Sequence, residues 1–240
     1  MGAATYPKTS LSVVIPAYSE EENIEWVVRD TLAKLPNYFD DFEVIVVDDG
    51  SRDRTGEIAD RLAKTYDRVH VIHQPNGGYS EATLTGIKAA TKKFITCMPA
   101  DGQFLIDDMR YCFEVLEQSD LVLGYRGGRL DYTLRRIIMS YAYLVILTIL
   151  FGMKFADIGW VHIWRREKLQ DLSLEGSRGI FILTEIVVTF MRKGYRITEA
   201  PSFYHPRTSG EVKNAKWSVA WNTFMNAIKL WWKIRMGRVT

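Results

Sequence analysis

The chain has 240 residues, 47% of them hydrophobic and 25% charged, which is enough for one substantial core and too short for two full domains. Its 31 basic and 29 acidic residues leave a formal net charge of +2, which excludes the polyelectrolyte character of a general nucleic-acid binder and confines any anionic partner to a local patch. Cys97 and Cys112, the two cysteines, offer no metal-ligand spacing and read as reduced, partly buried thiols.

Short β-branched runs at 11–15 and 42–47 end in Pro or Asp-Asp-Gly, as buried parallel strands do. Between them, apolar residues recur at helical spacing over 20–35. A second helix opens at 51–54, with Ser51 or Asp53 as its cap, and runs through Tyr66. A third strand at 69–72, a third helix at 80–90 and a fourth strand at 94–98 complete a βαβαβαβ alternation. That order predicts a mostly parallel sheet with right-handed crossovers. Past residue 104 the pattern predicts a helix over 106–118, a strand over 121–124, and a loop carrying Arg126, Arg129, Arg135 and Arg136.

The apolar run at 137–151 falls short of the roughly 20 residues a membrane span requires, and reads equally as a buried core helix or as a helix lying in a membrane interface. The C-terminal segment sharpens the second reading. Trp217, Trp221, Phe224, Ile228, Trp231 and Trp232 recur at helical spacing among Lys216, Lys229, Lys233, Arg235 and Arg238, which suits an anionic bilayer surface, with a docked core helix as the alternative.

A parallel sheet gathers the C-terminal ends of its strands on one edge, where open α/β sheets bind ligands. Four loops meet there: 16–21 with Pro16, Tyr18 and Glu20; 48–51 with Asp48 and Asp49; 74–78 with Asn76, Gly77 and Gly78; and 99–103 with Asp101 and Gln103. Carboxylates on three of the loops can accept hydrogen bonds from a base or ribose, and Gly77-Gly78 ahead of a helix permits the close approach of a phosphate. Asp101 and Gln103, two residues apart, can face one hard cation such as Mg²⁺ or Mn²⁺. Each loop taken singly reads as a turn or a cap; their convergence is what points to a site.

Through VVIPAYSEEENI, VIVVDDGSRDRT, the Asn76-Gly77-Gly78 loop with Ala82 and Gly86, MPADGQF, Asp157-Ile158-Gly159-Trp160 and RTSGEVK, the chain resembles the inverting family 2 glycosyltransferases of GT-A fold. Within them it is similar to the dolichyl-phosphate mannose synthase-like branch, which transfers a sugar to a polyprenyl phosphate. The resemblance implies an α/β GT-A (Rossmann-like) sheet flanked by helices, with a catalytic domain over 1–213 and an amphipathic membrane-interface helix over 214–240. It implies a GDP- or UDP-sugar donor, a dolichyl or undecaprenyl phosphate acceptor, Mg²⁺ or Mn²⁺ on Asp101 and Gln103, and a peripheral location at the cytoplasmic face of a membrane, with no nucleic-acid partner.

By the same resemblance Pro16, Tyr18, Glu20 and Asp49 line the nucleotide pocket, and Arg207, helped by Lys213, contacts the donor diphosphate. Arg126, Arg136 and Ser140 match positions that engage the lipid phosphate. Asp157 falls near that phosphate and the anomeric carbon, as a base or as a positioning group. Two departures stand out. Relatives read Asp-Ala-Asp-x-Gln where this chain has Pro99 first, and Ser-Gly-Phe where it has Ile158-Gly159-Trp160. Proline offers no side-chain donor or acceptor, so position 99 cannot touch a metal or a nucleotide through its side chain. A polysaccharide or soluble sugar acceptor, and an inactive nucleotide-sugar-binding protein, are the alternative functions.

Overall fold

The computed structural model describes residues 6, 9–102, 105–126, 133–172, 174, 179, 181–203 and 217–237, with backbone alone for Arg136 and 217–220. Seven strands, β1 (Ser10–Ala17), β2 (Asp41–Asp48), β3 (Val69–His73), β4 (Phe94–Cys97), β5 (Leu121–Arg126), β6 (Val161–Arg165) and β7 (Ile197–Ser202), form one sheet in the order β3-β2-β1-β4-β6-β5-β7. Among the described strands only β6 runs against the rest, antiparallel to both β4 and β5. The helices are α1 (Ile24–Lys34), α2 (Thr55–Thr65), α3 (Tyr79–Ala89), α4 (Arg110–Glu114), α5 (Leu134–Phe151), α6 (Arg166–Gln170), α7 (Phe181–Arg192) and α8 (Trp217–Arg235).

The central strands are apolar on both faces because both faces are covered. Leu11, Val13 and Ile15 of β1 pack with Ile24, Val27 and Val28 of α1, Ile58 and Leu62 of α2, and Cys112 and Phe113 of α4. Val14 faces the other layer, with Ala82 and Ile87 of α3, Leu147 of α5, most of α7, and Ala227 and Leu230 of α8. Gly86 permits the close fit of α3 on β1, since a Cβ there would lie 2.1 Å from Val14 Cγ1. The chain crosses from one layer to the other as it passes from β3 to β4, so the sheet has a topological switch point between β1 and β4, the place where such sheets open a binding crevice.

The expected βαβαβαβ half is found element for element. The expected helix over 106–118 is instead broken into a 3₁₀ turn at Ile106–Met109, the short α4, and a second 3₁₀ turn at Leu116–Gln118. Ile106, Met109, Cys112, Phe113 and Leu116 of this stretch are buried against the sheet. Between 152 and 213 no element was legible, yet β6, α6, α7 and β7 lie there. Residues 181–190 of α7 are all buried, so that helix carries no amphipathic period to read. Pro201 sits in β7, which is an edge strand paired only with β5, where proline costs no central ladder bond.

Helix α5, which spans the 137–151 run, is buried on one face and exposed on the other. Leu147 is buried and Tyr143 Oη shares a 2.8 Å hydrogen bond with Thr184 Oγ1 of α7. Leu134, Ile138, Tyr141, Val145 and Ile149, spaced three or four apart, are 56–76% exposed. Likewise α8 docks against α5 and α7 through Ala227 and Leu230 while Trp221 and Trp232 stay open to solvent. Among the described residues no helix is long and apolar enough to cross a membrane.

Candidate functional site

Because β1, β2, β3 and β4 are mutually parallel, the loops that follow them lie along one edge. Side chains sew the first two loops together. Ser19, with φ +53°, donates its N–H to Ser51 Oγ at 3.0 Å, Glu20 N–H to Thr55 Oγ1 at 2.8 Å and Glu21 N–H to Asp53 Oδ2 at 3.2 Å. Half-buried Pro16, Tyr18 and Glu20 are thereby fixed beside the switch point, and Glu20 Oε2 accepts from Asn23 Nδ2 at 3.0 Å.

Asp49, 3% exposed, joins the second loop to the third. Its Oδ1 accepts from Gln74 Nε2 at 2.7 Å and from the Gly77 N–H at 2.8 Å, and its Oδ2 from the Gly78 N–H at 2.8 Å. Both glycine amides are thus spent on a buried carboxylate that would otherwise be unsatisfied. Asn76 is exposed at the rim of the same loop.

Asp48 is 7% exposed, and burial pushes its carboxyl up, but hydrogen bonds from Ser51 and His73 outweigh that and hold it below the usual range. His73 was not singled out by its sequence, although the register Asp48↔His73 at the end of two parallel strands is the signal that would have found it. Its Nδ1 lies 2.9 Å from Asp48 Oδ2 and its Nε2 3.0 Å from Asp60 Oδ1, and these contacts raise its pKa.

The second half of the site depends on the one antiparallel strand. Running against its neighbours, β6 starts at the edge where β4 and β5 end, so the 157–160 turn that precedes it stands beside Arg126, the last residue of β5. Arg126 and Asp157, both expected near the acceptor phosphate, are bound to each other. Arg126 Nε donates to Asp157 Oδ2 at 2.6 Å and Nη2 to Oδ1 at 3.0 Å, with side chains only 7% and 6% exposed. The guanidinium carbon lies 4.9 Å from the centre of the Trp160 ring, and Asp157 Oδ1 also accepts the Gly159 N–H at 3.1 Å.

Beneath the turn, burial pushes the His162 imidazole down to about 4, so it is neutral and its Nε2–H donates to the Ile158 carbonyl at 2.9 Å. Asp101, half-buried, follows β4 on the other side of the switch point. Arg136 and half-buried Ser140 lie on the first two turns of α5. Gln103, Arg129, Arg207 and Lys213 fall outside the described residues. Among the described residues no three or more His, Cys, Asp or Glu side chains gather as a metal cluster.

The loops, the switch point and the motifs they carry agree with the match of residues 12–168 to the model for glycosyl transferase family 2. The chain belongs to that family. This glycosyltransferase is 30% identical over 224 residues to the polyprenol monophosphomannose synthase of Mycolicibacterium smegmatis, a match that covers 88% of this chain and 83% of that protein. It is 29% identical over 211 residues to the undecaprenyl-phosphate mannosyltransferase of Micrococcus luteus, covering 83% and 85% of the two chains. These relatives bear out the polyprenyl-phosphate branch to which the motifs pointed. Among solved structures, glucosyl-3-phosphoglycerate synthase of Mycobacterium tuberculosis, in complex with Mn²⁺, UDP and phosphoglyceric acid, superposes with a TM-score of 0.70 over 93% of this chain and 78% of that one. At 18% identity that likeness speaks to the shared GT-A-type fold.

Proposed function

We propose that this glycosyltransferase moves a sugar, with inversion, from a nucleoside diphosphate sugar to a polyprenyl phosphate while resting on a membrane surface. The observation that carries this reading is the exposed apolar stripe of α5, Leu134, Ile138, Tyr141, Val145 and Ile149, on the helix that bears Arg136 and Ser140. A phosphate held at the start of that helix leaves its prenyl tail along an apolar surface; a sugar acceptor needs no such face. The exposed Trp221 and Trp232, with Lys229, Lys233 and Arg235 on the same helix α8, suit the headgroup region of an anionic leaflet. The names of the two polyprenyl-phosphate relatives support the same acceptor.

On the donor side, the loops pinned by Asp48, Asp49 and Ser51 form a preorganised wall for the nucleoside, with Arg207 and Lys213 serving the diphosphate. Asp101, a hard oxygen donor at the switch point, fits a hard divalent cation, and Gln103 would join it there. A bound Mg²⁺ or Mn²⁺ would offset the charge that develops on the leaving nucleoside diphosphate.

A phosphate monoester is already an anionic nucleophile near neutral pH, so the task of this chain is to hold two like-charged substrates together. Arg136 and Ser140 would receive the acceptor phosphate at the start of α5, beside the Arg126–Asp157 pair at the end of β5. Asp157 then acts as the clamp that orients Arg126, since its carboxylate accepts from that guanidinium and from the Gly159 amide. The test is incubation with UDP- and GDP-sugars, Mg²⁺ or Mn²⁺, and a short polyprenyl phosphate, with the lipid product detected by mass. A glycosylated lipid phosphate is expected; nucleotide-sugar hydrolysis alone, or no turnover, would contradict the proposal.

A further inference from the structure

We infer that His73 is a positioning residue whose imidazolium braces the donor-side loops 48–51 and 74–78 against α2, and that the brace loosens when the ring gives up its proton. The consequence for catalysis rests on the reading that these loops hold the donor nucleotide; the brace itself does not.

Both ring nitrogens face carboxylate oxygens, Nδ1 that of Asp48 at 2.9 Å and Nε2 that of Asp60 at 3.0 Å. An ionised carboxylate only accepts hydrogen bonds, so satisfying both contacts requires a proton on each nitrogen, which makes the ring a cation. Asp48 of β2 and Asp60 of α2 are the charged groups that bear on it, and β3 is an edge strand, so the remaining side of the ring is open to water. Gly56 of α2 makes the approach possible, because a Cβ there would lie 2.8 Å from Asp48 Oδ2 and 3.3 Å from His73 Cε1.

Asp48, the ring's partner, and its neighbour Asp49 carry the ties between the two loops. Asp48 Oδ1 accepts the Ser51 N–H at 3.0 Å, and Ser51 Oγ in turn accepts the Ser19 N–H at 3.0 Å. The Asp48 carbonyl accepts the Gln74 N–H at 3.0 Å, and the Gln74 side chain reaches Asp49, the carboxylate that collects the Gly77 and Gly78 amides. A neutral imidazole has one N–H for two carboxylates, so one contact turns from attraction to lone-pair repulsion. Asp60, with a side chain 52% exposed, is the partner that water can rehydrate. Deprotonation should therefore leave Asp48 bonded and release α2. The sign follows from the raised pKa of His73: the brace is complete below the ordinary histidine value of 6.5 and is lost as the pH rises through the higher value in the folded protein.

The experiment follows the His73 ring and the Ser51 and Gly78 amides of the full chain by NMR from about pH 5.5 to 9, in the wild type, in His73→Gln and in Asp60→Asn. The ring should titrate above 6.5 with both loop amides following it; Asp60→Asn should move that inflection to lower pH, and His73→Gln should remove it from the amides. Calorimetry with UDP-glucose and with GDP-mannose should show binding of the accepted nucleotide weakening roughly two- to fivefold between about pH 6 and 8.5 in the wild type and staying flat in His73→Gln, the scale of one weakened charge-assisted bond. A ring inflection at or below 6.5, or loop amides that ignore the ring, would overturn the inference. Amides that follow the ring in a protein that binds neither nucleotide would instead sink the donor reading and leave the brace standing.

Discussion

Replacing Arg126 with alanine strands the Asp157 carboxylate in a place where only 6% of that side chain is exposed. Breaking a buried pair from one side costs about 3–5 kcal/mol, because the remaining charge is largely out of water and has lost its charged partner, keeping the Gly159 N–H. The lost stacking of the guanidinium on Trp160 belongs to the same removal and is smaller, about 0.5–2 kcal/mol. For a chain of this size the total corresponds to a fall in Tm of about 7–28 °C. The double replacement Arg126→Met with Asp157→Leu removes both charges and keeps the volume, so it should unfold within about 2 kcal/mol of the wild type while failing to use a polyprenyl phosphate acceptor. Urea unfolding followed by tryptophan fluorescence and circular dichroism measures both variants against the wild type. Single variants within about 1 kcal/mol of the wild type would refute the buried-pair account and return Arg126 to the role of a solvated phosphate ligand.

Asp101→Ala should abolish divalent-cation-dependent transfer with little change in Tm, since a half-exposed loop carboxylate contributes more to charge neutralisation than to packing; a folded variant with full activity would remove it from the metal site. Asp49→Ala leaves the Gln74 side chain and the Gly77 and Gly78 amides without their acceptor, so hydrogen exchange at both glycines should accelerate and nucleotide affinity should fall roughly tenfold or more, while unchanged exchange would contradict the loop-joining role. Trp221→Ser with Trp232→Ser should weaken co-sedimentation with acidic liposomes and leave Tm nearly unchanged, because both side chains are more than half exposed; equal binding with and without them would take the membrane contact away from α8. Truncation before Trp217 is a poorer probe, since it would uncover the apolar surface that Ala227 and Leu230 now cover.

The parallel half of the molecule was readable because each of its strands is a β-branched run closed by turn chemistry and each of its helices shows a buried face. The loops it gathers, with Pro16, Tyr18, Glu20, Asp49 and Asp101, could therefore be placed before any coordinates. The second half hides its elements for physical reasons. Helix α7 is buried on all sides and shows no period, and β6 is five residues long with a histidine in it. That missed strand mattered most, since its reversed direction is what carries Asp157 to the site edge and into contact with Arg126. Pair formation of that kind is invisible to sequence spacing: the two residues are 31 apart and meet only through strand order. The His73 contact has the same character, being a register effect between parallel strands.

The most direct test of the account is a competition among acceptors. The protein, Mg²⁺ and a labelled nucleotide sugar that it turns over would be offered equal amounts of a short polyprenyl phosphate, the matching polyprenol without phosphate, and a soluble sugar. The account predicts label on the polyprenyl phosphate alone, recovered in the organic phase as one sugar added to the phosphate; label on the soluble sugar or on the phosphate-free polyprenol would contradict it.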